Sequence, residues 1–395
     1  MPGVLEGIQV LDLATMWAAP LAAAYLADQG AQVVKVEPLQ GDEARRTLTT
    51  PPLASGESRA WLAAGRGKRG IALDIARPAG REVVRRLVAR SDVLLANFRP
   101  GVARRLGYDY ETLRGINPRL VHVALTAYGD KGPYAGRRGY DRLVQALAGM
   151  LRQPRPESPP QAAGVWAADM STPWAICYGV ALALLHRERT GRGQLVETSL
   201  LHMALAMQTV DLVRAEREAP PNPAQGDYAS QALFAPYRCA DGLWLNLVVV
   251  SDREWQALCE CLGVAHLAQD PQFAGANDRA RHSQPLYELL EGLFATRPLA
   301  EWLEALQRHD VPCAPVLARE QVFDSPQVKA NGMALALEHP TAGRHETVSA
   351  PLRLDAAPGP APRRAPLLGE HTLEVLRELG YSQEEVRGLR DAGAI

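Results

Sequence analysis

Asp169 is the residue of this chain best placed to do chemistry. It stands in Ala167-Ala168-Asp169-Met170-Ser171-Thr172-Pro173-Trp174, among apolar neighbours and just ahead of a long apolar stretch. Ser171 or Thr172 suits the cap of a helix there, and Pro173 suits its first turn. A carboxylate beside a helix N-terminus is stabilised as an anion by unpaired amides and the helix dipole. The expectation is a carboxylate that stays ionised, and so nucleophilic, at neutral pH. A plain helix-capping aspartate is the other reading of the same residues.

Three basic segments could hold what such a nucleophile attacks. Gly65-Arg66-Gly67-Lys68-Arg69-Gly70 spells G-x-G-x-x-G. A dinucleotide fingerprint follows a strand and opens a helix, whereas this one precedes the strand expected at 71–74, so it is not read as an NAD site. It is read as a flexible loop with three cations and free amides, suited to phosphate. Asn97-Phe98-Arg99-Pro100-Gly101 with Arg104-Arg105-Leu106-Gly107 follows an expected strand, at the edge where open α/β sheets bind ligands. Gly132-Pro133-Tyr134 with Arg137-Arg138-Gly139-Tyr140-Asp141 does the same. Together these segments would neutralise a polyanion such as a nucleotide with a pyrophosphate and a further phosphate. Ordinary solvated turns are the alternative for each.

Other chemistries fare poorly. Cys259-x-Cys261 has no partner pair or histidine at zinc spacing, and the nine histidines form no cluster, so no metal site is expected. No G-x-S-x-G, H-E-x-x-H or Walker A occurs.

The surrounding elements alternate. Residues 8–13 read as a buried strand, 20–28 as a helix and 32–37 as a strand, which implies a parallel sheet with a right-handed crossover. Strands at 71–74, 91–95 and 120–127, with helices at 80–89 and 110–115, continue an α/β pattern with both sheet faces covered. Helices at 140–151 and 174–187 and a strand at 195–199 follow. Proline-rich loops at 154–160 and 219–226 read as boundaries. Asp241-Gly242 marks a hairpin, with helices over 252–306. A strand near Thr347 and two short helices after Glu370 end the chain.

Length and composition bound the function. The 395 residues give a prior of two or three domains. With 43 Lys+Arg against 44 Asp+Glu, the charge balance argues against a nucleic-acid binder. Five cysteines are too few for a disulfide scaffold and suit a reducing compartment. No signal peptide or membrane-length apolar run is visible, so a soluble cytoplasmic protein without a membrane partner is expected.

The segments, taken in order, resemble the class III coenzyme A transferase family, which includes the formyl-CoA, carnitine-CoA and bile-acid-inducible enzymes. The resemblance runs from Gly7-Ile8-Gln9-Val10-Leu11-Asp12-Leu13 through Val34-Lys35-Val36-Glu37-Pro38 and Gly67-Lys68-Arg69. It continues in Asn97-Phe98-Arg99-Pro100-Gly101, Gly139-Tyr140-Asp141, Thr190-Gly191-Arg192-Gly193-Gln194 and Pro366-Leu367-Leu368-Gly369-Glu370-His371. It implies a Rossmann-like large domain over 1–200 and 335–395 and a small α+β domain over 226–330, joined by linkers at 201–225 and 331–334. It also implies an interlocked homodimer. Asp169 aligns with the family's catalytic aspartate. Lys68, Arg105, Leu106 and Tyr140 fall where members contact CoA, and Arg138 falls where some carry a CoA-binding lysine. Arg99 and Arg137 join them on charge and position. Coenzyme A and acyl-CoA are then substrates, with a carboxylic acid as acceptor and no permanently bound cofactor.

The implied reaction is covalent: Asp169 takes the acyl group as a mixed anhydride, then CoA as an aspartyl thioester, and hands CoA to an incoming acid. The chain departs from the family at Pro173, where members often have glycine, and at Trp17, where the formyl-CoA enzyme has glutamine. No glycine-rich closing loop is evident between 224 and 233. These departures argue against formate–oxalate exchange and towards a bulkier or more apolar acid. Two alternatives remain. One is an α-methylacyl-CoA racemase, whose motif has histidine where Tyr140 stands, and tyrosine is a poor base near neutral pH. The other is a non-catalytic CoA-binding protein.

Overall fold

Short valine-rich runs become the strands of one six-stranded parallel sheet in the computed structural model, which describes residues 2–47, 53–153, 157–217 and 232–395. The strands are β1 (Gln9–Asp12), β2 (Gln32–Glu37), β3 (Lys68–Ala72), β4 (Val93–Ala96), β5 (Val121–Thr126) and β6 (Leu195–Ser199), in the order β3-β2-β1-β4-β5-β6. The interleaved helices are α1 (Ala18–Asp28), α2 (Arg59–Gly65), α3 (Pro78–Arg90), α4 (Val102–Leu106), α5 (Tyr110–Arg114), α6 (Asp141–Leu147), α7 (Ala167–Thr190) and α8 (Leu200–Ala206).

Successive residues of a strand face opposite sides. Val10, Val33, Val93 and Leu95 accordingly join one core with α1 and α7, while Leu11, Val34 and Leu94 join another with α3 and the C-terminal helices. Both faces are covered, which is why the strands read as nearly continuous apolar runs. Strand order reverses between β1 and β4, and their carboxyl ends diverge there into a crevice.

The described residues divide into two compact units, residues 1–213 with 327–395, and residues 214–326. The first holds the parallel sheet and a hairpin of Ala334–His339 with Gly343–Val348, where the sequence suggested a single strand. The second has its own core, with an antiparallel sheet of β7 (Pro236–Arg238), β8 (Trp244–Leu247) and β9 (Cys313–Pro315). Residues 154–156 of the first proline-rich loop, the whole 219–226 loop and most of the 224–233 stretch lie outside the described residues.

The Gly65–Gly70 segment is not the flexible basic loop expected from its sequence. It closes α2 and enters β3, and all three of its cations are engaged. Arg66 pairs with Asp28 at 2.7 Å, and Arg69 with Glu374 and Glu378 at 3.0 and 2.6 Å. Lys68 is buried, with its ammonium 2.7 Å from both the Asp12 carboxylate and the Pro20 carbonyl.

Lys68 is one corner of a closed ionic cluster. Lys35 lies 3.0 Å from Asp42 and 3.9 Å from Asp12, and it donates to the Ala14 carbonyl. Glu37 accepts from Arg45 through both oxygens, at 2.6 and 2.9 Å, and from the Asp42 N–H at 3.1 Å. Three anions therefore meet three cations. Burial alone would lower Lys35, but Asp12, Asp42 and Glu37 outweigh it and raise its pKa. Burial wins at Lys68, which is lowered to about 8 despite Asp12.

Removing one member of such a cluster strands its partner without solvent. Lys68→Met is expected to destabilise the protein by about 3–5 kcal/mol in urea denaturation. A side chain whose only role is to touch a ligand would leave the denaturation midpoint unchanged.

Candidate active site

The crevice beyond β1 and β4 is a cleft of about 320 Å³. Its walls come from the loop after β1 and the start of α1 (Thr15, Met16, Trp17, Ala18), Glu43, the loop after β4 (Asn97, Phe98, Arg99, Pro100), the end of β5, Ala135 and residues 137–140, Asp169 and the start of α8. The first two loops are tied reciprocally. Thr15 N–H donates to Asn97 Oδ1 at 2.9 Å, and Asn97 Nδ2 donates to the Thr15 carbonyl at 2.8 Å. Met16 adopts φ 69°, a left-handed conformation that costs a non-glycine residue about 1–2 kcal/mol. Its N–H is held by Asp42 at 3.1 Å, so the buried ionic cluster also fixes this strained wall of the cleft.

Asp169 lies inside the first turn of α7, not ahead of it. The helix begins at Ala167, so the expected caps are displaced into it: Ser171 and Thr172 donate back to the Ala168 carbonyl, at 3.3 and 2.7 Å. Pro173 is internal, and having no N–H it leaves the Asp169 carbonyl without the bond that a residue four further on would supply. At 24 residues α7 is long and apolar enough to cross a membrane by length and composition, although, as the sequence indicated, it holds no uninterrupted apolar run of that length. Here it is a core helix, with Ala168, Ile176, Val180 and Ala183 buried.

No side chain of α7 caps its own N-terminus. Asp141, the first residue of α6, does so from outside, accepting the Asp169 N–H at 3.0 Å. Gln145, one turn further along α6, donates to the other Asp141 oxygen and to the Val165 carbonyl at 3.1 Å, and accepts from the Ala163 N–H at 3.2 Å. Both are buried. Gly139 lets the chain reach this position, since a Cβ there would lie 2.1 Å from that of Ala127.

This arrangement overturns the expectation of an ordinary anion at position 169. Burial first, and the Asp141 charge second, push the Asp169 carboxyl up to about 7. Near neutrality it divides between the acid and the nucleophilic anion, the range that suits a group acting at neutral pH.

The proposed ligand contacts separate into two sets. Arg99, Arg137, Arg138 and Tyr140 all line the cleft and are exposed. Arg137 lies over the Tyr134 ring at 4.1 Å. Arg105 is exposed on α4 and Leu106 is half-buried against the sheet core, and neither lines the cleft. Lys68 is also outside the lining, turned into the ionic cluster. Sequence reasoning missed Asn97, Asp141 and Gln145 as positioning residues. Asp141 and Gln145 stand four apart, the spacing of facing helix neighbours, and that was the available signal. Among the described residues no cluster of His, Cys, Asp or Glu could hold a metal ion.

A doubly wound sheet with an acidic nucleophile candidate and a basic mouth at its switch point defines a class of nucleotide-handling α/β enzyme. The sequence profile of CoA-transferase family III matches residues 5–372. A formyl-CoA:oxalate CoA-transferase of Streptomyces avermitilis is 35% identical over 413 residues, covering 100% of both chains. A succinate–glutarate CoA-transferase of Agrobacterium fabrum is 33% identical, covering 95% of each. The crystal structure of a CAIB/BAIF family protein from Brucella suis superposes with a TM-score of 0.83 at 32% identity, covering 96% of this chain and 100% of that one. The chain belongs to CoA-transferase family III. It is therefore an enzyme, a CoA-transferase acting on acyl-CoA and a carboxylic acid, and the non-catalytic CoA-binding alternative falls away.

The raised acid at position 169 has a stability signature. Between the ordinary carboxylate value of 3.8 and about 7, the folded state keeps a proton that the unfolded state loses, so stability falls as pH rises through that window. Asp169→Asn is expected to melt higher than the wild type at pH 8, by about 1–2 °C for each kcal/mol relieved, with the difference shrinking towards pH 5. Asp141→Asn, which retains an acceptor oxygen for the Asp169 N–H, should shrink the pH dependence. Thermal melts of the three proteins at both pH values check this; a pH-independent difference would contradict it.

Proposed function

We propose that Asp169 is the covalent nucleophile of CoA transfer. Its carboxylate oxygen attacks the thioester carbonyl, the carbon–sulfur bond breaks, and a mixed anhydride forms as CoA thiolate leaves. The thiolate attacks the Asp169 carboxyl carbon, releasing the first acid and leaving an aspartyl-CoA thioester. The incoming carboxylate attacks that thioester and re-forms an anhydride. The thiolate then takes the new acyl group and restores the Asp169 carboxylate. Each step is an acyl transfer between good leaving groups, which divides one hard exchange into easier ones.

The observation that carries this reading is the Asp169 carboxyl in the cleft, raised to about 7 and anchored through its own N–H to Asp141. Anchoring the main chain fixes where the nucleophile can reach. In this reading the exposed Arg99, Arg137 and Arg138 take phosphates of CoA, with Tyr140 beside them. Arg105 and Leu106 belong to a more distant part of the nucleotide. Lys68 acts through the fold, by holding Asp12. Racemase chemistry is disfavoured because Tyr140, the residue in the place of a histidine base, is an exposed phenol at the cleft rim.

The proposal extends to an interlocked homodimer in the cytoplasm. Tyr178 of α7 is 68% exposed, and Val210 and Val213 are 87% and 75% exposed. These exposed apolar side chains are available to a second copy of the chain. All five cysteines are free, as a reducing compartment requires.

Asp169→Ala is expected to lower exchange between an acyl-CoA and a carboxylic acid by at least about 10³-fold, with CoA binding retained. In the wild type, hydroxylamine should trap an adduct on the peptide carrying Asp169 and kcat/KM should rise with pH through about 7. Full activity in Asp169→Ala, or deuterium entering the substrate α-carbon from solvent, would overturn the reading.

A further inference from the structure

Every polar main-chain group from the Ala14 N–H to the Met16 N–H is held by a side chain. Asp12 accepts the Ala14 N–H at 3.0 Å, and Lys35 donates to the Ala14 carbonyl. Asn97 takes both groups of Thr15, at 2.9 and 2.8 Å, and Asp42 takes the Met16 N–H at 3.1 Å. The peptide between Thr15 and Met16 is thus pinned at both ends, its carbonyl by Asn97 and its N–H by Asp42. One residue further on, the Trp17 carbonyl accepts the Leu21 N–H at 2.7 Å and is committed to α1. The turn between the pinned peptide and the helix falls on Met16, at φ 69°. A residue with a Cβ gives up about 5–30-fold in population to sit there. The loop keeps this shape only while its surroundings impose it.

Of the two clamps on that peptide, Asn97 lines the cleft, whereas Asp42 lies outside the lining and is 1% exposed. The oxygen of Asp42 that takes the Met16 N–H also takes the Ala44 N–H at 2.9 Å, capping the short helix Glu43–Arg46. Its other oxygen faces Lys35 at 3.0 Å. Burial alone would raise the Asp42 carboxyl, but Lys35 and the two N–H groups outweigh it and hold it below the usual range. The acceptor is therefore an anion, and its bonds are charge-assisted. One buried carboxylate sets Met16 and the helix that carries Glu43, two parts of the lining, from outside the cleft.

We propose that Asp42 is a positioning residue for CoA transfer, acting through the Met16 N–H to keep the β1–α1 loop in the one conformation that forms the cleft wall. This rests on the reading of Asp169 as the transferring nucleophile. In that reading the thioester is held against Asp169 by the walls of the same cleft, and a displacement of about 1 Å at the reacting atoms costs about 10²-fold in rate. The cations at the mouth, Arg99, Arg137 and Arg138, stand on other loops. Loss of Asp42 therefore falls on turnover and spares the binding of CoA.

Formyl-, acetyl-, butyryl-, succinyl- and glutaryl-CoA, each with its own ¹³C-labelled acid, are assayed for labelled thioester by mass spectrometry, and the pair that the wild type exchanges fastest is carried forward. Asp42→Ala is expected to lower kcat by about tenfold or more, as the competent loop conformation loses population. CoA, titrated calorimetrically, should bind within about threefold of the wild type. Met16→Gly supplies the rescue, because glycine enters the left-handed region without the penalty of a Cβ. Met16→Gly/Asp42→Ala should return to within about threefold of Met16→Gly alone. A carboxylate that only stabilised the fold would cost the same factor in both backgrounds. Should Asp42→Ala not fold, Asp42→Ser with Lys35→Met removes both charges of the pair, and it is compared with and without Met16→Gly in the same way. Equal factors in both backgrounds, an unchanged kcat without Asp42, or CoA affinity falling in step with kcat would overturn the role of Asp42 and leave the transferase reading in place. Absence of labelled thioester from every pair with the wild type would instead overturn the transferase reading on which that role rests.

Discussion

One hydrogen bond organises the site: the main-chain N–H of Asp169 on the carboxylate of Asp141. It joins the starts of two helices and sets two acidic side chains side by side where water is scarce. The structure holds this unfavourable pair because Asp141 does necessary work for the backbone. It caps a helix whose own residues supply no cap, and Gln145 spends its amide on fixing Asp141 and the chain leading into α7. The charge that anchors the nucleophile is also a charge that raises its pKa. The contact that places position 169 thus also adds, second to burial, to its raised pKa.

The rest of the cleft is held from the opposite side. The ionic cluster of Asp12, Lys35, Glu37, Asp42, Arg45 and Lys68 sits under the β1–α1 loop and grips it through the Ala14 carbonyl and the Met16 N–H. A strained residue such as Met16 persists only where its surroundings over-determine it. Buried ions seldom stabilise a fold more than a well-packed apolar core would, but they do penalise misplaced geometry heavily. That suits a wall whose shape matters more than its burial.

Much of this was legible in the sequence. β2 and β6 fall where period and flanking glycines put them, and the place of the 97–101 loop at the carboxyl edge of the sheet followed from the strand before it, whereas its place at the reversal of strand order did not. Asp169 was legible as a candidate because it stands among apolar residues beside a helix start and aligns with the catalytic aspartate of the family the sequence resembles, although a capping aspartate is the commoner fate of such a residue. What failed was its protonation. The helix start is visible in one dimension, but the desolvation and the neighbouring Asp141 are properties of folded space. Lys68 failed for the same reason. Glycines around a cation signal a loop, but the partners that draw Lys68 inward, Asp12 and the Pro20 carbonyl, lie 56 and 48 residues away. The start of α7 was placed late because Pro173 reads as a first-turn residue, whereas the helix continues through it.

The central claim, an oxygen of Asp169 bonded in turn to each acid, has a direct isotopic signature. When an acid labelled with ¹⁸O at its carboxylate is exchanged, the anhydride breaks on the acyl side and one labelled oxygen stays on Asp169. Mass spectrometry of the peptide carrying Asp169, after turnover in unlabelled water, should show ¹⁸O gained at that residue. Peptides that remain at natural mass while labelled thioester accumulates would contradict the account.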